Sequence, residues 1–254
     1  WHDVGFDQMG LPLLYDDPNT NQRKHIPIAT ALNQYGKVVD KVIYTYDDKD
    51  KIEDGSLYRN LTKRNTTLAP QYSKEVDTWL GCLSGSPEAK GVLDNWLAYA
   101  SDLTKSLTAL LVIGEPGTGK TLLAESLSRL WTSKSTISYD KAISRFNVDL
   151  ASHPVVDGSE ITGEQMNGGP RGDKMMFRQF VGSGSIPLER KGAEVAALHG
   201  SPRVILSANN DDMFTDDKSY ADLDAIIRRL VLLKPNNTGC RSWFDSMYTA
   251  HGAD

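Results

Sequence analysis

Eight consecutive residues carry the most specific chemistry in this chain: Gly114, Glu115, Pro116, Gly117, Thr118, Gly119, Lys120 and Thr121. They spell G-x-x-x-x-G-K-[ST], a phosphate-binding loop. The glycines let the backbone curl until its N–H groups point inward at phosphate oxygens. Lys120 is the cation for the β- and γ-phosphates, and the Thr121 hydroxyl is a ligand for Mg²⁺. ATP and Mg²⁺ are therefore the expected substrate and cofactor. The context fits the motif. Leu110, Leu111, Val112 and Ile113 before it read as a buried strand. Leu122, Leu123, Leu127, Leu130 and Trp131 after it fall at helical spacing. A helix opening near Lys120 adds its positive end to the site.

Triphosphate hydrolysis also needs carboxylates near the metal and the attacking water. Val155-Val156-Asp157-Gly158-Ser159-Glu160 is the candidate. If the strand ends at Asp157, this residue is the metal-shell acid. If the strand runs on to Ser159, Glu160 is the catalytic acid and Ser159 takes the metal-shell place. The sequence leaves both registers open, and an acidic surface turn is the plain alternative. Farther on, Val204 to Ala208 is a β-rich run that ends at Asn209. An amide at such a strand tip can hold the attacking water and the γ-phosphate together, although Asn also starts turns. Arg228 and Arg229 follow. Arginine is always charged and grips phosphate with a planar fork, so either could reach a neighbouring subunit's nucleotide.

The elements that must position these residues read as α/β. Strands alternating with helices predict a parallel sheet with helices on both faces. Residues 1–71 are expected to be an N-terminal linker or partial domain, 72–104 a helical segment, 105–237 the ATPase core and 238–254 a C-terminal tail. In the helical segment, Val76, Trp79, Leu80 and Leu83 make one apolar face, and Val92, Leu93, Trp96, Leu97 and Tyr99 another. Ser84-Gly85-Ser86-Pro87 separates the two helices. The charged stretch 47–55 fails as an EF-hand, because Ile52 stands where an oxygen ligand belongs.

With 254 residues, 39% of them apolar and 24% charged, the chain can bury a sizeable core. A net charge of −5 argues against a general basic coat for nucleic acid, while leaving room for local basic surfaces. Cys82 and Cys240 lack metal-ligand spacing and form no disulfide framework, which suits a reducing compartment. No apolar run approaches the ~20 residues that span a bilayer, so no membrane partner is expected. A chain opening on Trp1 is expected to be part of a longer one.

The run from about 72 to 235 resembles the superfamily 3 helicases, AAA+-type ring motors of small viruses, phages and plasmids. Within them it is most similar to the helicase portions of phage-type primase-helicases. The matching pieces come in order: the helix around Leu93 to Ala98, the loop at 114–121, and Pro154 to Glu160 where motif B stands. Phe180-Val181-Gly182 with Leu188-Glu189-Arg190-Lys191-Gly192 resembles motif B′. Val204 to Asn209 resembles motif C, and Arg228-Arg229 the arginine finger. Motif B departs from the pattern, since Gly158-Ser159 separates its two acids. The resemblance implies a P-loop AAA+-like parallel sheet preceded by a small, mostly helical segment. It also implies a homohexameric ring that encloses single-stranded DNA and moves along it with ATP. Lys191, beside Arg190, would be the lysine on a hairpin inside the pore. An upstream primase-polymerase domain and a place in the host-cell cytoplasm are further implications. Two rival readings use the same loop. One is an AAA+ ATPase that remodels protein or acts as a regulatory or defence switch. The other is a small-molecule kinase, for which Asn209 and the arginines are coincidental.

Overall fold

The computed structural model describes residues 13–16, 23–26, 41–47, 50–64, 70–131, 135–159, 177, 180–192, 195–209 and 227–251. The chain divides into two compact units, residues 1–42 with 52–57, and residues 43–51 with 58–254. In the smaller unit, β1 (Leu13–Asp16) pairs antiparallel with β2 (Arg23–Ile26). Asp54 and Gly55, both at positive φ (47° and 72°), make the tight turn between β4 (Lys51–Glu53) and β5 (Ser56–Arg59). Asp-Gly is the pairing that such a turn favours.

The larger unit is built on a five-stranded parallel sheet. Its strands are β6 (Ala109–Ile113), β7 (Ile137–Ser138), β8 (Val155–Gly158), β11 (Arg203–Ala208) and β12 (Leu230–Leu233). Their spatial order is β12-β6-β11-β8-β7. Every residue of β6 and β11 is buried. That is why these runs are continuously apolar instead of alternating: a central parallel strand is covered on both faces. This is the α/β fold expected for a P-loop AAA+-like core. The strand that carries the phosphate loop is not beside the acidic strand; β11 lies between them.

The helical segment before the core consists of α1 (Lys74–Ser84) and α2 (Pro87–Ala100). Ser73 and Ser86 cap them, accepting from the amides of Val76 and Ala89. Gly85 ends α1 at φ +80, and a Cβ there would lie 1.9 Å from the Lys234 carbonyl oxygen. Of the faces predicted from the sequence, Trp79, Leu83, Leu93 and Trp96 are buried, but Val76, Val92 and Tyr99 are exposed. Val76 lies in the first turn of α1, and Val92 and Tyr99 fall at the margin of the α2 stripe that Leu93, Trp96 and Ala100 bury. The Trp96 indole donates to the Thr108 carbonyl (2.8 Å), tying α2 to the entry of β6.

The phosphate loop leads into α3 (Lys120–Ser128), which packs on β8 and β11, and α4 (Tyr139–Ile143) packs on β7 and β8. A single 3-10 turn, Val148–Ala151, precedes β8. A second sheet of five strands lies outside the core. In it β3 (Lys41–Thr45) pairs parallel with β10 (Ala196–His199), and β10 pairs antiparallel with β9 (Ser185–Leu188). Its order is β4-β5-β3-β10-β9. Of the expected tail, 238–254, residues 238–251 belong to a fifteen-residue helix, α5 (Asn237–His251). Its signal was present in the sequence: Cys240, Trp243, Phe244, Met247 and Tyr248 recur at three- and four-residue spacing.

Candidate functional site

The loop at 114–121 closes over the carboxyl end of β6. Gly117 and Gly119 adopt φ +81 and +88, which only glycine takes without strain. Thr118 is fully buried and donates to the Glu115 carbonyl (3.0 Å). Lys120 is 9% exposed. Its ammonium donates to the carbonyls of Gly114 (2.5 Å) and Glu115 (2.9 Å) and to Asn209 Oδ1 (3.2 Å). Asn209 reaches it because β11 runs parallel beside β6, with Ala208 opposite Ile113. The Gly114 amide donates to the Ala208 carbonyl (3.0 Å), locking loop and strand tip together. Thr121 is exposed on the first turn of α3.

β8 ends at Gly158, with Asp157 half-buried next to last. Burial raises the Asp157 pKa above the ordinary carboxylate value, offset in part by Ser159, with the Glu125 charge adding to the rise. The Ser159 hydroxyl donates to both carboxylate oxygens (2.9 and 3.0 Å). Asp157, Gly158 and Ser159 line a polar cleft of about 370 Å³ with Thr136, Ser138 and Asp140. Glu160 lies outside the described residues.

The sequence reading missed a lid over the loop, formed by α5 and its neighbours. Asn237 Oδ1 accepts from the Glu115 amide (3.2 Å), and Arg241 pairs with the Glu115 carboxylate (2.5 Å). A Cβ on Gly119 would lie 2.8 Å from Trp79 Nε1 and 2.9 Å from Phe244. Trp243 stacks on Trp79 (6.0 Å between centroids) and meets Phe244 edge-on (4.9 Å). Cys240, fully buried beneath this helix, has its thiol pKa pushed up to about 11 by burial, so it packs and does not react. Among the described residues, Trp79 Nε1 is the one buried side-chain nitrogen or oxygen without a hydrogen-bond partner.

Arg190 and Lys191 are exposed at the tip of the β9–β10 hairpin, where Gly192 turns the chain at φ +76. The hairpin is anchored to the core through Asn147, which is 2% exposed. Its side chain donates to the Pro187 carbonyl (3.1 Å) and accepts from the Glu189 amide (3.0 Å). On the other arm, β10 runs through Gly200, Ser201 and Pro202 directly into β11, which ends at Ala208, one residue before Asn209. Arg228 and Arg229 precede β12, whose first residue pairs with Ala109 at the amino end of β6. They therefore stand at the opposite end of the sheet from their own loop, about 16 Å away at ~3.3 Å per residue. Arg228 is exposed; Arg229 is half-buried with its Nε beside Gly182. The fold thus brings Lys120 and Asn209 together and keeps both arginines apart from them.

Comparison with known proteins adds the following. Residues 112–229 match the model of a family of unknown function, DUF5906. A search of curated proteins by sequence finds no match. Among solved structures, the apo C-terminal region of NrS-1 superposes with a TM-score of 0.59 at 18% identity, over 92% of this chain and 61% of that one. The A form of the same region gives 0.58 at 18% identity. An inhibitor-bound JCV helicase gives 0.45 at 20% identity, over 69% of this chain and 48% of that one, too loose a likeness to argue from. The chain thus spans about three-fifths of the NrS-1 region that it resembles, and at this identity the likeness establishes the fold.

Proposed function

We propose that this chain is the ATP-hydrolysing motor of a ring helicase or translocase that acts on single-stranded DNA in phage, viral or plasmid replication. The observation that carries the reading is the Lys120–Asn209 contact. It joins a complete phosphate loop to an amide at the tip of the strand inserted between loop and acid. Lys120 and the loop amides of Gly117, Thr118 and Gly119 grip the triphosphate, and Asn209 orients the attacking water against the γ-phosphate.

Mg²⁺ fits the donor set. Thr121 and Asp157 would hold it, and it would neutralise charge on the phosphates. No group of three or more His, Cys, Asp or Glu among the described residues forms a metal cage, as suits an ion carried mainly by nucleotide and water. Glu160 is kept as the candidate base for the water. Arg228 and Arg229 act on a neighbouring subunit's nucleotide, and exposure favours Arg228. That role calls for a ring, six subunits by family resemblance. Lys191 and Arg190 hold the strand's phosphates without reading sequence. The short run from β10 into β11 connects their hairpin to Asn209.

Purified protein should hydrolyse ATP, faster with a single-stranded oligonucleotide, and should assemble with nucleotide into a particle of about six chains by mass. Lys120→Ala should bring hydrolysis to background. Undiminished hydrolysis in that variant, or no response to single strands from an assembled ring, would overturn the reading.

A further inference from the structure

The hairpin tip does not exhaust the basic and aromatic groups of the second sheet. At the other end of the same ribbon lies a cleft of about 480 Å³, outside the nucleotide site. Lys51, Tyr58 and His199 line it, with Asp47, Thr104 and Ser185. The Lys51 ammonium stands 5.0 Å from the centre of the Tyr58 ring. The Tyr58 and His199 rings are 5.8 Å apart and tilted by 59°, so they form an open wedge and not a closed stack. Both are only half-buried. The foot of the ribbon is rigid, because the Gly200 amide donates to the Gly184 carbonyl (2.9 Å).

We propose that this cleft is a stacking platform for a base of single-stranded nucleic acid bound along the β9–β10 ribbon. The inference rests on the nucleic-acid reading given above and adds a second contact to it. Every base has a π-face, and aromatic rings edged by a cation are the usual sequence-tolerant seat for one. The paired rings favour a base over a phosphate, and a base's exocyclic amine could donate to the Asp47 carboxylate. The ribbon supplies the path. Ile186, Leu188 and Leu198 are buried, so by alternation Ser185, Pro187, Ala197 and His199 share the outer face. Val195, 62% exposed, continues that face toward the tip. Five residue steps, from Ser185 opposite His199 to Arg190, separate the tip cations from the wedge by about 16 Å at ~3.3 Å per residue. A strand lying on this face presents phosphates to Arg190 and Lys191 and a base to Tyr58 and His199.

The test compares a 20-nucleotide DNA strand with an otherwise identical abasic strand, by anisotropy, over a range of salt. Wild type should bind the base-bearing strand about 5- to 150-fold tighter. Tyr58→Ala and His199→Ala should abolish that preference without changing the salt slope, and Tyr58→Phe should keep it. Lys191→Ala should weaken both strands alike and flatten the slope. Photocrosslinking of a 5-iododeoxyuridine strand to wild type should give adducts at Tyr58 or His199, a result independent of how any variant folds. Equal wild-type affinity for the two strands, or adducts confined to 190–191, overturns the platform while leaving the translocase reading intact. No binding of either strand by the assembled ring overturns both.

Discussion

Arg203 lies outside the candidate site, yet it is the largest fully buried side chain among the described residues. It opens β11 and donates to four carbonyls: Ala100 (2.9 Å), Lys105 (3.1 Å), Ser201 (3.1 Å) and Asp102. It therefore gathers the frayed end of α2 and the loop after it onto the sheet. Burial lowers its pKa to about 10, still charged at neutral pH. Arg203→Ala leaves those carbonyls buried and unpaired, at about 1–3 kcal/mol each where water cannot enter. A loss of at least ~3 kcal/mol is expected in a denaturant titration, and Arg203→Lys should not restore it, since an ammonium lacks the fork's reach. Asp157 should behave in the opposite way. Its raised pKa means that the fold penalises the ionised form. Between pH 3.8 and the raised value the unfolded chain binds fewer protons than the fold, so stability falls as pH rises through that window. Asp157→Asn should then raise the melting temperature of metal-free protein at pH 7 while reducing Mg²⁺-dependent hydrolysis by tenfold or more, about 1.4 kcal/mol of barrier. Equal melting points at pH 7 would show that burial of the carboxylate carries no penalty.

Elements explain what the sequence revealed and what it hid. The phosphate loop, β6, β11 and both capped helices were legible because each is specified locally, by motif, apolar run or capping serine. The α5 lid was not, although its periodicity was plain. Its partners, Glu115, Gly119 and Trp79, lie more than a hundred residues upstream, and no local pattern announces a long-range contact. Nor does any local pattern announce that Arg229 lies beside Gly182. The lid makes its own prediction. Gly119→Ala places a methyl between two rings at φ +88, costing about 1–2 kcal/mol in backbone strain before any clash. It should weaken ATP affinity at least tenfold by calorimetry. Trp243→Ala, which unstacks the lid from Trp79, should weaken affinity in the same direction with a smaller stability loss of about 1–3 kcal/mol. ATP affinity unchanged by both substitutions would mean that the lid has no part in holding the loop.

At the scale of the whole molecule, the arginines argue for assembly. A pair at the far end of the sheet cannot serve its own loop, so activity should depend on a neighbour. Mixing Arg228→Ala subunits, whose loop is intact, with Lys120→Ala subunits, whose arginines are intact, should restore part of the hydrolysis that each lacks alone. Full activity from a dilute, monomeric wild type would exclude that arrangement. No helix among the described residues is long and apolar enough to cross a membrane.

The inserted strand also has a consequence for how the chain is made. β6 has no neighbour until β11 arrives on one side and β12 on the other, and β11 begins about ninety residues after β6 ends. At ~5–20 residues per second, a nascent chain holds its most apolar strand with both edges open for roughly 5–20 s. Such edges invite pairing with other chains. A ribosome stalled before residue 203 should therefore leave an insoluble product, and one stalled after residue 233 a product that stays in solution.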